Sequence, residues 1–422
     1  MEQTINKKNV FYWSLYGFAK DIVIITFALY FSEWLVVENH VADIWYNLIF
    51  VGASVLLLFT APILAILADK KNQALPYLRI MAVFLFVTTL AASLFAVFDY
   101  NMPKFVLFAA LAFLLCNYFY QFSLIFYNGF LNQLAPQNKR GLISGIGYTS
   151  NWLGEIAGLF IALPFTTGVL YWFGHAGRAQ TFVPATLLFG LLALPMLFLF
   201  KETKKPVVAS LNIKQEYRDL TAKFIRLCET PGVGRFLLGY FVFNDAIITL
   251  ENNFAIYLQQ VYHISDSLKT YILLALLIAS TIGAFICGWI SDKVGLKKTL
   301  LITLASILII LPALALTYNF TLLFALTTIL GLAYGSVWVA SRAVLAFLAP
   351  PSELNHAFSY YTLMERFATF IGPMAWGLAL FLFRQHQIFS YRFAIILMAA
   401  FAALGTFIIR KIPSDKDKIV SA

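Results

Sequence analysis

Twelve apolar segments follow one another along the chain, separated for the most part by short polar connections. About 20 consecutive apolar residues in a helix span the hydrocarbon core of a bilayer. The segments cover residues 11–36, 44–67, 75–98, 104–128, 141–168, 182–200, 235–261, 266–290, 299–318, 321–348, 355–383 and 389–410. This pattern predicts an all-α membrane protein with twelve transmembrane helices.

One longer polar segment, residues 201–234, separates the sixth and seventh apolar segments. Within it apolar residues recur at helical spacing, which predicts an amphipathic helix on the inner membrane surface. Those positions are Ile213, Tyr217, Leu220, Phe224 and Leu227. We therefore expect two six-helix bundles, residues 1–200 and 235–422, joined by a linker that serves either as a tether or as a regulatory element.

The two halves repeat each other. A helix end, an aspartate and a basic cluster occur at Asp69-Lys70-Lys71 and again, 223 positions later, at Asp292-Lys293. Residues 120–161 also align with residues 334–375 at a constant offset of 214, so that Leu134-Ala135-Pro136 falls on Leu348-Ala349-Pro350. Internal repeats in a membrane chain are typical of transporters. They predict two pseudo-symmetric bundles.

Composition places most of the chain in lipid. It is 61% hydrophobic and 12% charged, with a mean hydropathy of +0.81, whereas soluble domains are about a quarter charged. The net charge of +10 does not indicate nucleic acid, because most Lys and Arg fall on segments that share one side of the predicted membrane. This positive-inside bias predicts that both termini are cytoplasmic.

Several chemistries find no support in the sequence. The three cysteines, at positions 116, 228 and 287, allow no disulfide framework, and no cleavable signal peptide precedes the first span. The five histidines fall in loops or at span ends, which disfavours a histidine proton relay, a metal site and a membrane enzyme. No phosphate-binding loop is present, so we expect no cofactor and no ATP-driven pumping.

Nine of the charged residues inside the predicted spans are candidates for buried chemistry. Each would cost about 2.5–3.5 kcal/mol at the centre of a bilayer, so they must pair with one another or face water. They are Lys20, Asp21, Glu33, Glu155, Asp245, Glu251, Arg342, Glu365 and Arg366. At about 1.5 Å of rise per residue, several reach mid-membrane depth. They predict a polar central site shared by both halves.

Candidate roles follow from the side-chain chemistry. Arg342 and Arg366 are suited to an anionic group, because guanidinium donates two parallel hydrogen bonds. The carboxylates of Asp21, Glu155, Asp245 and Glu251 are suited to a cation or a coupling proton, and Asn128 and Glu365 complete the candidate substrate site. Interhelical ion pairs without a ligand are the structural alternative. We expect Glu33 to be a solvated charge at the outer interface, while Lys20 either snorkels to the cytoplasm or faces the cavity.

Twelve spans, two halves and the paired aspartate-basic motifs resemble the major facilitator superfamily. The resemblance implies that spans one, four, seven and ten line the cavity, with spans two, five, eight and eleven beside them. It also implies a gating rather than ligand-binding role for the repeated motif. The gating residues are then Asp69, Lys70, Lys71, Asp292, Lys293 and Lys297.

A closer likeness is to the vacuolar amino-acid effluxer-like branch, also called the unknown-major-facilitator branch. Residues 126–128, 144–148 and 152–154, Asn244-Asp245, Ser341-Arg342 and residues 358–373 resemble it. The chain departs from the branch where Tyr16-Gly17-Phe18-Ala19-Lys20 replaces the usual Tyr-Asp-Trp-Ala-Asn, and where Glu155 and Glu365 replace glycine. These departures add charge to the predicted cavity.

The resemblance implies a secondary active transporter that works by alternating access. We expect the substrate to be a small polar solute carrying charge, with an amino acid as the first candidate, and proton coupling stays open. Alternatives are a sugar, nucleoside, peptide or siderophore, or a receptor or scaffold that transports nothing. We expect a monomer in the bilayer of a bacterial inner membrane, with no nucleic-acid partner.

Overall fold

The computed structural model describes residues 5–71, 74–98, 103–134, 140–172, 177–202, 213–350 and 354–413. The chain divides into two compact units, Met1–Lys214 and Gln215–Ala422. Where the structure describes the chain, each unit is built of helices.

The first unit contains six long helices in the order of the predicted spans. They are α1 (Lys7–Thr26), α2 (Asp43–Lys71), α3 (Leu75–Val97), α4 (Pro103–Gly129), α5 (Arg140–Thr166) and α6 (Phe182–Phe198). Beyond α1 the helix continues with wider π-type turns over Phe27–Phe31 and Trp34–Glu38, and a 3-10 turn, Arg178–Thr181, precedes α6. Such π-type turns often mark functional positions.

The second unit begins with the linker helix and repeats the six-span order. Its helices are α7 (Ile213–Glu229), α8 (Val233–Tyr262), α9 (Asp266–Val294), α10 (Leu296–Leu316), α11 (Phe320–Leu348), α12 (Leu354–Phe367), α13 (Ile371–Leu382) and α14 (Gln387–Arg410). The linker that is predicted to carry an amphipathic helix contains α7. Its Leu227 is fully buried, and the Phe224 ring lies 4.9 Å from the ring of Tyr360.

All twelve predicted spans coincide with helices, and nine helices in the described ranges are long and apolar enough to cross a membrane. The eleventh span differs from the prediction, because it is split into α12 and α13. Gly372-Pro373 follows the break. Proline lacks an N–H and fits the first turn of a helix better than its interior, which favours a new helix start at Ile371.

The units also share a packing scheme. In the first, α1 packs on α5 and α6, and α4 on α2 and α3; in the second, α8 packs on α12, α13 and α14, and α11 on α9 and α10. Helix-end geometry repeats as well: His40 and His263, 223 positions apart, have φ angles of 53° and 52°.

Glycines set the closest helix contact in the first unit. A Cβ added to Gly154 would stand 2.2 Å from the Phe18 carbonyl oxygen, and one added to Gly158 would stand 2.8 Å from the Ile22 carbonyl oxygen. Small residues allow helix backbones to approach in this way. Helices α1 and α5 therefore pack closely along this face.

Candidate functional site

Two consecutive charged residues of α1 form a buried ion pair in the first unit. Lys20 and Asp21 are 1% and 3% exposed, and Lys20 Nζ lies 2.6 Å from Asp21 Oδ1. The Tyr120 hydroxyl of α4 donates to the same carboxylate oxygen at 3.2 Å. Lys20 therefore does not snorkel toward water, because its ammonium finds a partner one residue away.

Aromatic rings enclose the ammonium group of this pair. Lys20 Nζ lies 5.4 Å from the ring centroid of Tyr120 and 5.5 Å from that of Tyr127. These distances are within the range of cation–π attraction. The Tyr127 ring is itself held by Trp13, whose ring stacks on it at 4.8 Å and whose Nε1 donates to the Tyr127 carbonyl at 2.9 Å.

One turn before the Lys20–Asp21 pair, α1 contains Gly17, which lies close to side chains of α4 and α5. A Cβ added to Gly17 would stand 2.3 Å from Asn151 Oδ1 and 2.4 Å from the Tyr127 hydroxyl oxygen. Asn151 Oδ1 is buried and, within the described residues, accepts no hydrogen bond. A buried polar atom without a partner costs about 1–3 kcal/mol. We call the ion pair, the two tyrosines and this amide the Lys20 cluster. Its members are Lys20, Asp21, Tyr120, Tyr127 and Asn151.

Asp245, which follows Asn244 on α8, occupies a different setting from Asp21. It is 2% exposed, and its Oδ2 accepts a hydrogen bond from the Gly372 N–H at 2.6 Å. Gly372 is the second residue of α13, so Asp245 caps the helix that follows the break in the eleventh span. Beside it, Asn244 accepts a hydrogen bond from Trp338 Nε1 at 3.0 Å.

A tyrosine–carboxylate contact recurs in the second unit. Tyr334 of α11, which is equivalent to Tyr120 by the 214-residue offset, donates a hydrogen bond to Glu251 of α8. Glu251 is exposed, unlike Asp21. The repeat thus preserves the tyrosine donor but shifts its acceptor along the helix.

The remaining candidates lie in less buried positions. Glu155, Arg342 and Glu365 are half-buried, and Asn128 is exposed near the end of α4. Arg342 and Glu365 both act electrostatically on the Tyr240 hydroxyl, whose ring stacks on Tyr361 at 4.2 Å. The side chain of Arg366 lies outside the described part of the structure.

Two of the predicted gating residues make contacts inside the second unit. Lys293 is exposed and its Nζ lies 3.6 Å from the ring centroid of Trp289, while Lys297 Nζ donates to the Ile412 carbonyl at 2.5 Å. The second contact ties the start of α10 to the chain after α14. The side chains of Asp69, Lys70, Lys71 and Asp292 lie outside the described residues.

The interpretation of Glu33 as a solvated end charge is wrong. Glu33 is fully buried, and its Oε2 lies 2.9 Å from Arg178 Nε, while Arg178 Nη1 reaches Glu38 Oε1 at 2.7 Å. Arg178 lies between predicted spans, so hydropathy gave no reason to select it. The repeat offers a signal, since Arg178 falls on Arg392, a buried arginine that donates to the Thr317 carbonyl at 2.9 Å.

Sequence comparison with known proteins covers part of the chain. The sequence model of the Major Facilitator Superfamily matches residues 236–421. A curated relative, the uncharacterized MFS-type transporter YxiO of Bacillus subtilis (strain 168), is 26% identical over 265 residues, which make up 59% of this chain and 59% of that protein. The match therefore spans about three fifths of the relative's length.

Solved transporter structures share the fold. A variant of the nucleoside transporter NupG matches with a TM-score of 0.73 at 13% identity, covering 95% of this chain and 99% of that one. A D-xylose-proton symporter matches with 0.73 at 12%, covering 98% and 99%. A bacterial homolog of the human lysosomal transporter Spinster matches with 0.71 at 15%, covering 95% of each chain.

At identities of 12–15% the similar structures are evidence for the fold alone. The sequence evidence comes from the match to the family model. The solved structures that share the fold are transporters, and the matching sequence model is that of the Major Facilitator Superfamily. The family model matches less than half of the chain, and with the nine apolar helices of the described ranges the comparisons indicate a multi-pass integral membrane protein that is similar to members of the Major Facilitator Superfamily.

Proposed function

We propose that this protein is a secondary active transporter that moves a small zwitterionic solute, with an amino acid as the first candidate, by alternating access. The observation that carries the proposal is the buried Lys20–Asp21 pair, which offers both signs of charge at one place. The likeness of residues 126–128 and 358–373 to the amino-acid effluxer-like branch supports the same solute class. We place the protein in a bacterial plasma membrane with both termini in the cytoplasm.

The ion pair can exchange partners with a zwitterion. A buried pair costs several kcal/mol of desolvation, and removing one partner leaves an unpaired charge. A solute that brings its own carboxylate and ammonium group replaces each internal contact by one of the same kind. Lys20 then binds the carboxylate and Asp21 the ammonium group, so no charge is left unpaired while the pair opens.

The surrounding side chains extend this chemistry. The Tyr120 hydroxyl can follow the Asp21 carboxylate or donate to the solute, and the tyrosine rings accept a cationic group over their faces. Asn151 Oδ1 supplies an acceptor. A neutral sugar or nucleoside would satisfy the hydroxyl and amide groups but would leave the ion pair closed, and this difference distinguishes the solute classes.

We expect Lys20→Met and Asp21→Asn each to reduce apparent affinity for the transported amino acid by about 10- to 100-fold, because a hydrogen bond to a charged group contributes about 1.5–3 kcal/mol. The measurement is uptake of radiolabelled amino acids, xylose and nucleosides into proteoliposomes. The exchanged pair, Lys20→Asp with Asp21→Lys, retains an ion pair but reverses the positions of its two charges, so it should also reduce apparent affinity for the amino acid.

Two tyrosines of α4 provide a matched control. Tyr120→Phe removes the hydroxyl that contacts Asp21, whereas Tyr118→Phe removes one that donates to Thr60 Oγ1 at 2.8 Å. The first should impair transport and the second should not. Transport of xylose or a nucleoside that is unaffected by Lys20→Met would overturn the zwitterion assignment, and a chain that moves none of these solutes would favour a receptor or scaffold.

A further inference from the structure

The eleventh span is interrupted inside the second unit, and a carboxylate from another helix occupies the interruption. α12 ends at Phe367 and α13 begins at Ile371. The first N–H groups of a helix have no partner within that helix and carry about half a positive charge. Asp245 Oδ2 accepts one of these N–H groups, from Gly372, at 2.6 Å. The carboxylate thus accepts a hydrogen bond that, in a continuous helix, a carbonyl of the preceding turn would accept.

Two further buried oxygens at this place lack hydrogen-bond partners within the described residues. They are Asp245 Oδ1 and the Oγ1 of Thr249, one turn along α8, and Thr249 is fully buried. Both residues face the same α-carbon. A Cβ added to Gly372 would stand 2.2 Å from Thr249 Oγ1 and 3.1 Å from Asp245 Cγ. An unsatisfied acceptor and a hydroxyl therefore lie side by side at the start of α13.

Among the side chains that the structure describes, the charge of Asp245 is incompletely balanced. The charged groups on its own helix and on the elements packed around it are Arg235 and Glu251 on α8, Arg342 on α11, Glu365 and Arg366 on α12, and Arg392 and Arg410 on α14. Of the charged side chains that the structure describes, none is within salt-bridge distance of Asp245. The half charge of a helix terminus offsets only part of a full carboxylate charge, and burial penalises what remains.

We propose that Asp245 is a proton-operated cap on the broken eleventh span, and that this proton is the one coupled to transport. When ionised, the carboxylate holds the first turn of α13 through the Gly372 N–H. A proton from water adds to Oδ1, forming one O–H bond without redox change, and that O–H can donate to Thr249 Oγ1. The neutral cap loses its attraction to the helix terminus, so the first turn of α13 loosens. The coupling role rests on the proposed transport function, whereas the cap itself does not.

Hydrogen exchange tests the cap without any solute. In the purified protein, protection of the amides of Ile371, Gly372 and Met374, corrected for the intrinsic effect of pH, should fall at least about 10-fold as pH drops from 9 to 5. The sign follows from the contact: the ionised form stabilises the helix end, so stability is lost as protonation increases. Asp245→Asn should remove this pH response, because an amide does not titrate.

Two other variants sharpen the result. Thr249→Val removes the acceptor for the new O–H while leaving the ionised cap, so the transition should move to lower pH. Asp21→Asn, the equivalent carboxylate of the first unit, should leave the response of α13 unchanged. If Asp245→Asn does not fold, Asp245→Glu should retain the response with a shifted midpoint.

An unchanged pH response in Asp245→Asn would overturn the proposal. So would protection that follows sodium concentration at constant pH, since that result would assign the cap to a metal cation. In proteoliposomes, Asp245→Asn should still exchange solute across the membrane but no longer accumulate it in response to a pH gradient. If the wild type transports no solute but shows the expected pH dependence of hydrogen exchange, the proposed transport function is wrong and the proposed cap is supported.

Discussion

Replacing Arg178 by methionine is expected to lower the free energy of unfolding by about 3–5 kcal/mol. Arg178 holds two carboxylates, and the substitution leaves Glu33 fully buried without its guanidinium partner at 2.9 Å. The lost ion pair joins two segments of the first unit. Glu33 lies between the two π-type turns that follow α1, and Arg178 lies in the turn before α6. The measurement is the unfolding midpoint of the purified protein in detergent.

Two further substitutions distinguish the cost of leaving the Glu33 carboxylate without Arg178 from the cost of losing one contact of Arg178. Glu38→Gln removes the more exposed of the two carboxylate partners, whose side chain is 16% exposed, so its effect should be within about 1 kcal/mol. Adding Glu33→Gln to Arg178→Met should recover much of the loss, because the unpaired charge is then gone. Equal effects of Arg178→Met and Glu38→Gln would contradict the expectation.

The helices could be placed from sequence because lipid imposes a strict rule. A spanning segment must satisfy its own backbone hydrogen bonds and carry about 20 apolar residues, and hydropathy detects such segments without knowledge of tertiary structure. The break in the eleventh span was not predicted. Its signal is Gly372-Pro373, but a proline within an apolar run fits both a kinked helix and a new helix start.

The candidate site was harder to predict, since depth along a helix does not determine side-chain partners. Asp21 and Asp245 lie at equivalent positions of the repeat, yet one pairs with Lys20 and the other caps α13. The difference depends on the neighbouring residue and on whether the facing span is continuous. Glu33 shows the same limit, because its partner lies in a connection that folds back only in the tertiary structure.

The symmetry of the repeat carries more information than hydropathy alone. Tyr120 and Tyr334 were aligned from sequence, and both donate to carboxylates of the first spanning helix in their unit, α1 and α8. The same offset pairs Arg178 with Arg392, which contact buried oxygens of Glu33 and Thr317, respectively. Positions that conserve a polar residue across the two halves are therefore the ones to examine first in such chains.

Replacing Gly335 by alanine is expected to lower the free energy of unfolding of the second unit by about 3 kcal/mol or more. This is the upper end of the range of about 1–3 kcal/mol that overpacking usually costs. A Cβ at this position would stand 1.8 Å from the Ser280 carbonyl oxygen, and one at Gly331 would stand 2.5 Å from the Leu276 carbonyl oxygen. The obstacles are backbone atoms of α9, which cannot turn aside as a side chain can. Helices α9 and α11 must therefore separate.

Gly288 offers a matched control on α9. A Cβ added there meets no atom within 4 Å, so Gly288→Ala should be neutral or stabilise by up to about 1 kcal/mol through helix propensity. The measurement is the fraction of monodisperse protein after extraction and its thermal midpoint. A Gly335→Ala protein as stable as Gly288→Ala would show that α9 and α11 do not approach as closely as described. Because the same glycine-mediated contact joins α1 and α5 in the first unit, Gly154→Ala should reproduce the loss.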